Sequence, residues 1–279
     1  MKSFKSMAYP YIIWSIFLIV LPMILIVIYA FTKEGNSVIN IQFTLENFAR
    51  FFSDKIFFNV LKRSFFIAVA TTIICILLGY PLAYVTARMK PKSQIIMVFM
   101  VTIPTWINML VRTYAWRGIL DKSGILNSLL GLFGIGPVQF LETGFAVILG
   151  MVYNFLPFMV LQIYNSLSKM DYSYIEAASD LGADRLHAFL RVTLPLSIPG
   201  VISGITLVFL PAVSSFFIPK LLGGGQYVLI GNVIENQFLT SGDWGFGSAI
   251  SHIMAIIIII SMHITKKLDK DPSSEGGKL

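Results

Sequence analysis

The sequence contains few of the residues that form disulfides, metal sites or catalytic centres. Its 279 residues include one cysteine, Cys75, and three histidines. A single cysteine excludes a disulfide within the chain. The histidines, at positions 187, 252 and 263, lack zinc-site spacing such as H-E-x-x-H, so we expect packing or local hydrogen bonds for them. The sequence therefore predicts no metal site and no catalytic residue.

A nucleotide-binding loop is also missing. No G-x-x-x-x-G-K-[ST] motif, whose backbone amides would hold phosphates, occurs in the sequence. The net charge is +7, yet no polar segment carries a basic stripe interleaved with aromatic residues. We therefore expect no cofactor on this chain and no nucleic-acid partner.

Charged residues are scarce and apolar runs are long. Only 13% of the residues are charged whereas 56% are hydrophobic, and the mean hydropathy is +0.78. Such a chain would not be soluble as a globular domain. Runs of about 20 apolar residues, long enough to cross a bilayer, occur six times. The predicted spans lie at residues 11–31, 64–87, 94–115, 144–164, 198–217 and 246–265.

These spans predict an all-α membrane protein in three parts. Residues 1–63 form a first span and an outer segment, residues 64–265 form a five-span core, and residues 266–279 form a tail. With the N-terminus in the cytoplasm, inner segments hold twelve of the 21 lysines and arginines and the longer outer segments hold nine. The positive-inside rule thus favours cytoplasmic termini.

One long polar stretch with a helical pattern lies between two apolar runs, at residues 171–200 (DYSYIEAASDLGADRLHAFLRVTLPLSIPG). Its apolar positions recur at helical spacing, at Ile175, Ala178, Leu186 and Phe189. Its polar positions fall on the opposite side, at Glu176, Asp180, Asp184, His187 and Arg191. This pattern predicts a short amphipathic helix on the membrane surface.

Local signals set the expected limits of that helix. Ser173 and Glu176 have the S-x-x-E spacing of a capping box, which places the acid near the positive end of the helix dipole. We expect Gly182 to interrupt the helix and Pro195 to end it. On the orientation above, this segment faces the cytoplasm.

The same stretch resembles the EAA loop of the permeases of ABC importers. That family has E-A-A, three residues, G, nine residues and I-x-L-P; the present sequence departs from it only at Val192. The resemblance implies six transmembrane helices with type I ABC-importer (MetI-like) architecture and a loop that docks on an ATPase. It assigns this coupling role to Glu176, Ala177, Ala178, Asp180, Leu181, Gly182, Leu194 and Pro195.

The family resemblance also implies partners. A second homologous permease subunit would complete the pore, two ATPase subunits would bind ATP and Mg²⁺, and an extracytoplasmic binding protein would deliver the solute. The complex would lie in the bacterial cytoplasmic membrane and work by alternating access.

Further motifs resemble the permeases of spermidine and putrescine importers. They are GYPLAYVTAR in the second span, IPTWINMLVRTYAW in the third, and LLGGG, LIGNVI and DWGFG before the last. A polyamine-binding protein and a polyamine cargo are implied. The pore would then need weak contacts for an organic polycation, and an aromatic face supplies about 0.5–2 kcal/mol to a cation.

Five residues are candidates for the substrate path. Trp106 and Tyr114 are eight residues apart, which places them near the same side of a continuous helix, with Asn108 beside them. Glu235 and Asp243 would draw a cation toward the mouth. The same aromatic residues would also suit a membrane-interface belt.

Gly200 and Gly204, in the fifth predicted span, have the G-x-x-x-G spacing that permits close helix packing. Pro211 is expected to weaken the same helix farther along.

Three alternatives remain. The chain could be an ABC permease for another small solute. A stand-alone ion-coupled carrier or channel is disfavoured because no Asp, Glu or Lys lies well inside a predicted span. An intramembrane enzyme is disfavoured because no G-x-S-x-G, zinc-ligand pair or intramembrane aspartate dyad is present.

Overall fold

The computed structural model describes residues 9–33 and 42–268, and these are almost entirely helical. The helices are α1 (Tyr9–Ser15), α2 (Leu21–Ala30), α3 (Glu46–Ser53), α4 (Lys55–Ala87), α5 (Pro91–Trp106), α6 (Met109–Leu120), α7 (Ile125–Leu132), α8 (Gly144–Ser168), α9 (Ser173–Asp180), α10 (Arg185–Ala188), α11 (Leu194–Ser214), α12 (Phe217–Leu222), α13 (Ile230–Asn236) and α14 (Trp244–Leu268). Wider π-helical turns occupy Ile16–Val20, Phe189–Thr193 and Gln237–Ser241. The predicted all-α class is confirmed.

Four helical segments in the described part of the chain are long and apolar enough to cross a membrane. They are Lys55–Ala87, Gly144–Ser168, Arg185–Ser214 and Trp244–His263. These segments overlap the second, fourth, fifth and sixth predicted spans. Part of the predicted outer segment, at residues 34–41, lies outside the described residues, as does the predicted tail from residue 269 onward.

The first predicted span contains a π-helical turn, and its longest apolar helix is short. Its apolar helix, Ile16–Ala30, reaches about 22 Å at about 1.5 Å per residue, whereas the hydrocarbon core is about 30 Å thick. The helical residues of α1 precede it without a break in right-handed backbone. The N-terminal region is therefore apolar and helical as predicted. Ile16–Ala30 alone is shorter than a full crossing, but the helical backbone from Tyr9 to Ala30 reaches about 33 Å.

The third predicted span is not a single helix. Helix α5 and the segment Met109–Leu132 meet at an angle of 90°. Ile107 and Asn108 are extended between them, and the Asn108 side chain accepts a hydrogen bond of 2.8 Å from the Leu110 amide. Asparagine is a strong N-cap, so Asn108 starts a new helix instead of continuing the old one. The prediction of one helix across residues 94–115 is wrong for this reason.

The described chain divides into two compact units. The first contains the described residues up to Val60 together with Gly231–Ile257, and the second contains Leu61–Ile230 and the described residues from Ile258 onward. The predicted part boundaries at residues 63 and 265 stay predictions.

In the first unit, an asparagine and aromatic rings tie the elements together. The Asn47 amide donates to the carbonyl oxygens of Ala30 and Thr32, each at 3.1 Å. The Phe57 and Phe246 rings meet edge to face with centroids 4.9 Å apart. Aromatic pairs in this geometry stabilise a fold beyond their buried area.

In the second unit, α11 packs closely against α8. A side-chain carbon built on Gly200 would lie 2.8 Å from the Gln162 carbonyl oxygen, and one on Gly204 would lie 2.5 Å from the Met159 sulfur. The obstacle at Gly200 is backbone, so glycine is required there, and the predicted close packing through G-x-x-x-G is confirmed. The helix continues past Pro211 to Ser214. The Tyr80 and Ser197 hydroxyls are 2.8 Å apart and link α4 to the same helix.

Candidate functional site

The predicted amphipathic segment forms a two-part loop between α8 and α11. Its first helix, α9, begins at Ser173 as predicted, but the capping box is wrong. Tyr172 occupies the N-cap position without a side-chain cap, and the Asp171 carboxylate accepts a 2.9 Å hydrogen bond from the Ser173 amide instead. This hydrogen bond lowers the pKa of Asp171. Glu176 does lie in the first turn, near the positive end of the dipole.

Gly182 ends α9 in a left-handed conformation with φ of +83°. The Gly182 amide donates to the Ser179 carbonyl at 2.9 Å, and the Ala183 amide donates to the Ala178 carbonyl at 3.0 Å. These two bonds define a Schellman motif, which satisfies the last carbonyls of the helix. The predicted interruption at Gly182 is confirmed, and its cause is the positive φ.

Asp184 starts the second helix, α10. Its carboxylate accepts from the His187 amide at 2.8 Å and lies 2.9 Å from Nδ1 of the His187 ring. The hydrogen bond from the His187 amide is the main reason that the pKa of Asp184 is lowered. His187 thus forms local hydrogen bonds, as expected. Among the described residues, no group of three His, Cys, Asp or Glu side chains could hold a metal ion.

The helix does not end at Pro195. A π-helical turn at Phe189–Thr193 passes directly into α11, so helical backbone runs from Arg185 to Ser214. Proline lacks an amide hydrogen and clashes with the preceding turn, and a π turn changes the hydrogen-bond spacing at that point. The predicted stop is therefore wrong. Leu194 and Pro195 belong to the first turn of α11, which joins the loop directly to a candidate span.

The loop buries one apolar side chain and exposes others. Ile175 is buried, as the pattern predicts, but Leu186 is exposed and does not belong to a buried face. Leu181, beside Gly182, is 89% exposed. Glu176, Ala177 and Asp180 are exposed as well, and Ala178 is half-buried. The residues assigned to coupling on α9 and at its end are thus available to a partner.

The structure separates the aromatic residues proposed for the substrate path. Trp106 is the last residue of α5, exposed, with its ring edge-on to Phe99 at 5.2 Å. Tyr114 is exposed on α6, beyond the cap at Asn108. The eight-residue spacing no longer implies a shared helix face, because the helix breaks between the two residues. Their role in a path stays a prediction.

The two acidic candidates lie in α13 and before α14. Glu235 is half-buried. Asp243 pairs with Arg50 at 2.7 Å and caps α14 by accepting from the Phe246 amide at 3.0 Å. The Arg50 guanidinium lies 4.2 Å from the centre of the Phe246 ring. Asp243 therefore has a structural function that the sequence reasoning missed, although an acid directly before an apolar helix is a capping signal.

The sequence pattern did not predict that Arg112 is buried. It lies in α6 and is only 9% exposed, and its guanidinium carbon is 6.0 Å from the centre of the Tyr153 ring. Nε and one terminal nitrogen have no hydrogen-bond partner among the described residues. A buried cation with unsatisfied donors is expensive unless another group approaches it.

Comparison with known proteins gives this architecture a family. Residues 76–273 match the family described as the binding-protein-dependent transport system inner membrane component. The chain is 39% identical over 264 residues to the spermidine/putrescine transport system permease protein PotB of Haemophilus influenzae, covering 92% of each. It is 38% identical over 264 residues to PotB of Escherichia coli, covering 92% of this chain and 96% of that one.

A solved structure has the same fold. It is a crystal structure of a bacterial ABC transporter involved in the import of the acidic polysaccharide alginate, with a TM-score of 0.74 and 18% identity, covering 96% of both chains.

The chain belongs to the family of binding-protein-dependent transport system inner membrane components. It is accordingly a multi-pass membrane subunit of a bacterial ABC transporter and not an enzyme. The resemblance based on the loop at residues 171–200 is confirmed at this level.

Proposed function

We propose that the chain is a permease subunit of a polyamine importer, forms half of the pore and is driven through the loop between α8 and α11. The relatives named as spermidine/putrescine permeases match nearly the whole chain, which supports this cargo. The mechanism is supported mainly by the continuous helix from Arg185 to Ser214. Because this helix joins the loop to a candidate span, a movement of the loop would also move the span.

The movement would also reach α8. Because Gly200 and Gly204 let α11 pack closely against Ser166 and Met159 of α8, a displacement of α11 is transmitted to its neighbour. Two ATPase subunits that close on ATP would move the loop, and a second permease subunit would move in the same way. An extracytoplasmic binding protein would supply the polyamine from outside.

We further propose six spans with both termini in the cytoplasm. The bent pair α5 to α7 would count as one span, and α1 with the helix up to Ala30 as another. This count places Gln139 and Gln226 outside and Ser179 inside, consistent with the moderate excess of basic residues in the inner segments.

This topology predicts a labelling pattern. In a Cys75→Ala background, single cysteines at Gln139 and Gln226 should react with an impermeant maleimide added to intact spheroplasts. Both side chains are exposed in the structure. Cysteine at Ser179, also exposed, should react only after lysis. Labelling of Ser179→Cys in intact spheroplasts, with Gln139→Cys protected, would reverse the orientation.

The cargo proposal has a physical basis in exposed aromatic rings. Trp106 and Tyr114 each have an exposed ring. One lies before the break between α5 and α6 and the other lies after it. A polyamine could move between such faces in weak steps, since each contact contributes only about 0.5–2 kcal/mol. Irregular backbone at membrane depth is tolerated where it lines a cavity, so the break at Ile107 and Asn108 suits a path.

The cargo is tested with the importer reconstituted in proteoliposomes with its binding protein and ATPase. We expect ATP-dependent uptake of labelled spermidine or putrescine, reduced several-fold by Trp106→Leu and by Tyr114→Leu. Phe133→Leu, at an exposed aromatic outside the proposed path, is the matched control. Full uptake in both leucine variants would reject the aromatic path. An ATPase stimulated by another solute and by no polyamine would reject the cargo.

A permease for another solute is the second candidate. The buried Arg112 favours it, because a guanidinium beside the path would repel a polycation and attract an acidic solute. Testing acidic solutes in the same uptake assay decides between the two.

A further inference from the structure

A small polar cavity lies between the loop at residues 171–200 and the turn that joins α4 to α5. Its volume is about 190 Å³. Tyr84, Arg88, Gln94, Ser168, Tyr172 and Thr193 are its polar lining residues. This volume would hold about six waters at about 30 Å³ each, so a compact polyatomic ion fits.

The charged side chain that lines the cavity, Arg88, is a cation. The Arg88 guanidinium carbon lies over the Tyr84 ring, 4.0 Å from its centre. Among the described residues, Arg88 forms an ion pair with no carboxylate, and no Asp or Glu lines the cavity. A cation–π contact with a ring holds the guanidinium in place and leaves N–H groups available to bind an anion.

A buried hydroxyl in the lining also lacks a partner. Thr193 is 1% exposed, and its Oγ1 forms no hydrogen bond among the described residues. A buried hydroxyl without a partner is costly, so its presence points to a missing acceptor.

Among the polar lining groups, Gln94 is held in place by hydrogen bonds. Gln94 donates to the carbonyl oxygens of Ala87 and Met89 at 3.0 and 2.9 Å and accepts from the Tyr164 hydroxyl at 3.3 Å. Gln94 thereby fixes the α4–α5 turn that carries Arg88. The cavity is therefore lined by a cationic side chain and by a hydroxyl that lacks a partner among the described residues.

We propose that this cavity binds a phosphate group, held by the Arg88 guanidinium and the Thr193 hydroxyl. Arginine matches the geometry of phosphate oxygens, and a hydroxyl donor completes the contact. A polyamine is excluded because Arg88 repels it, so this site is distinct from the proposed substrate path. The phosphate would join the α4–α5 turn to Thr193, in the π turn that leads from the loop into α11.

Two sources could supply this phosphate. The cytoplasmic leaflet is rich in anionic phospholipids, whose headgroups lie at the depth of such a turn. Inorganic phosphate is the other source. Both present the same chemistry to Arg88 and Thr193, and the experiment separates them.

The test measures the melting temperature of the purified, delipidated assembled transporter. One arm compares inorganic phosphate with chloride at equal ionic strength, and the other compares added phosphatidylglycerol with phosphatidylcholine. We expect one anion to raise the melting temperature of the wild type by about 2–4 °C. Arg88→Gln and Thr193→Val should each remove at least half of this rise, whereas Lys90→Gln, which removes a neighbouring charge outside the cavity, should keep it.

The pattern of shifts decides the source and the proposal. A rise with phosphatidylglycerol alone identifies a lipid headgroup, and a rise with free phosphate identifies inorganic phosphate. No rise in either arm, or equal rises in wild type and Arg88→Gln, overturns the proposal. The melting temperature of each variant is compared with and without the anion, so a general loss of stability does not mask the rise. The result also does not depend on the identity of the cargo.

Discussion

Gly182→Val is expected to reduce ATP-driven uptake to background while leaving the protein in the membrane. Gly182 has φ of +83°, a conformation that costs an ordinary L-residue about 1–2 kcal/mol and a β-branched residue more. Apart from its two chain neighbours, none of the described residues has an atom within 4 Å of a side-chain carbon built at this position, so the loss does not come from an internal clash. It comes from a changed bend between α9 and α10 and from a new side chain on the docking surface.

A matched glycine separates coupling from backbone strain. Gly134 follows α7, has φ of +73° and also has open space around it. Gly134→Val therefore carries the same conformational penalty in a predicted outer segment. We expect it to retain most uptake, with Gly182→Ala intermediate. Equal loss in Gly134→Val and Gly182→Val, at equal amounts of membrane protein, would show that strain alone explains the effect.

Gly200→Leu is expected to prevent stable folding of the chain. A side-chain carbon at Gly200 would collide with the Ser166 side chain and lie 2.8 Å from the Gln162 carbonyl oxygen. The second contact is with backbone, which cannot move aside without displacing α8. Overpacking typically costs about 1–3 kcal/mol, and a forced separation of two helices costs more.

The measurement is the monodisperse fraction after extraction in mild detergent, together with the melting temperature. Gly118→Leu is the control, because Gly118 lies within α6 and, in the described part of the chain, nothing beyond its own helix backbone and chain neighbours lies within 4 Å of a built side-chain carbon. We expect Gly118→Leu to match the wild type and Gly200→Leu to yield little monodisperse protein. A stable Gly200→Leu chain would show that α8 and α11 separate easily.

Much of this architecture follows from sequence pattern. Long apolar runs identify candidate spans because backbone groups in lipid must be satisfied by helices. Gly182 in a polar helical pattern indicates that α9 ends there in a Schellman motif, since glycine alone adopts a positive φ without penalty. The G-x-x-x-G spacing of Gly200 and Gly204 predicts close helix packing, because glycine has no side chain to hold two helices apart.

The errors arose where two local signals compete. Pro195 is a usual helix stop, but the π turn before it lets the helix continue into α11. Apolar composition favoured one helix across residues 94–115, but the cap formed by Asn108 starts a second one. Hydropathy averages over a window and therefore does not detect a single capping side chain.

Other features depend on contacts between distant residues. The ion pair of Arg50 and Asp243 joins residues 193 positions apart. The cavity beneath the loop brings Arg88 beside Thr193, which no local pattern connects. Only the packed helices bring these residues together.

The central claim is that the loop between α8 and α11 contacts the ATPase. A photo-crosslinking amino acid in place of Leu181, which is 89% exposed at the end of α9, measures this contact directly. Leu132, 80% exposed at the end of α7, is the matched control on the predicted opposite side of the membrane. We expect an ultraviolet-dependent adduct of this chain with the ATPase subunit from position 181 and none from position 132. An assembled, ATP-hydrolysing transporter that gives no ATPase adduct from position 181 would contradict it.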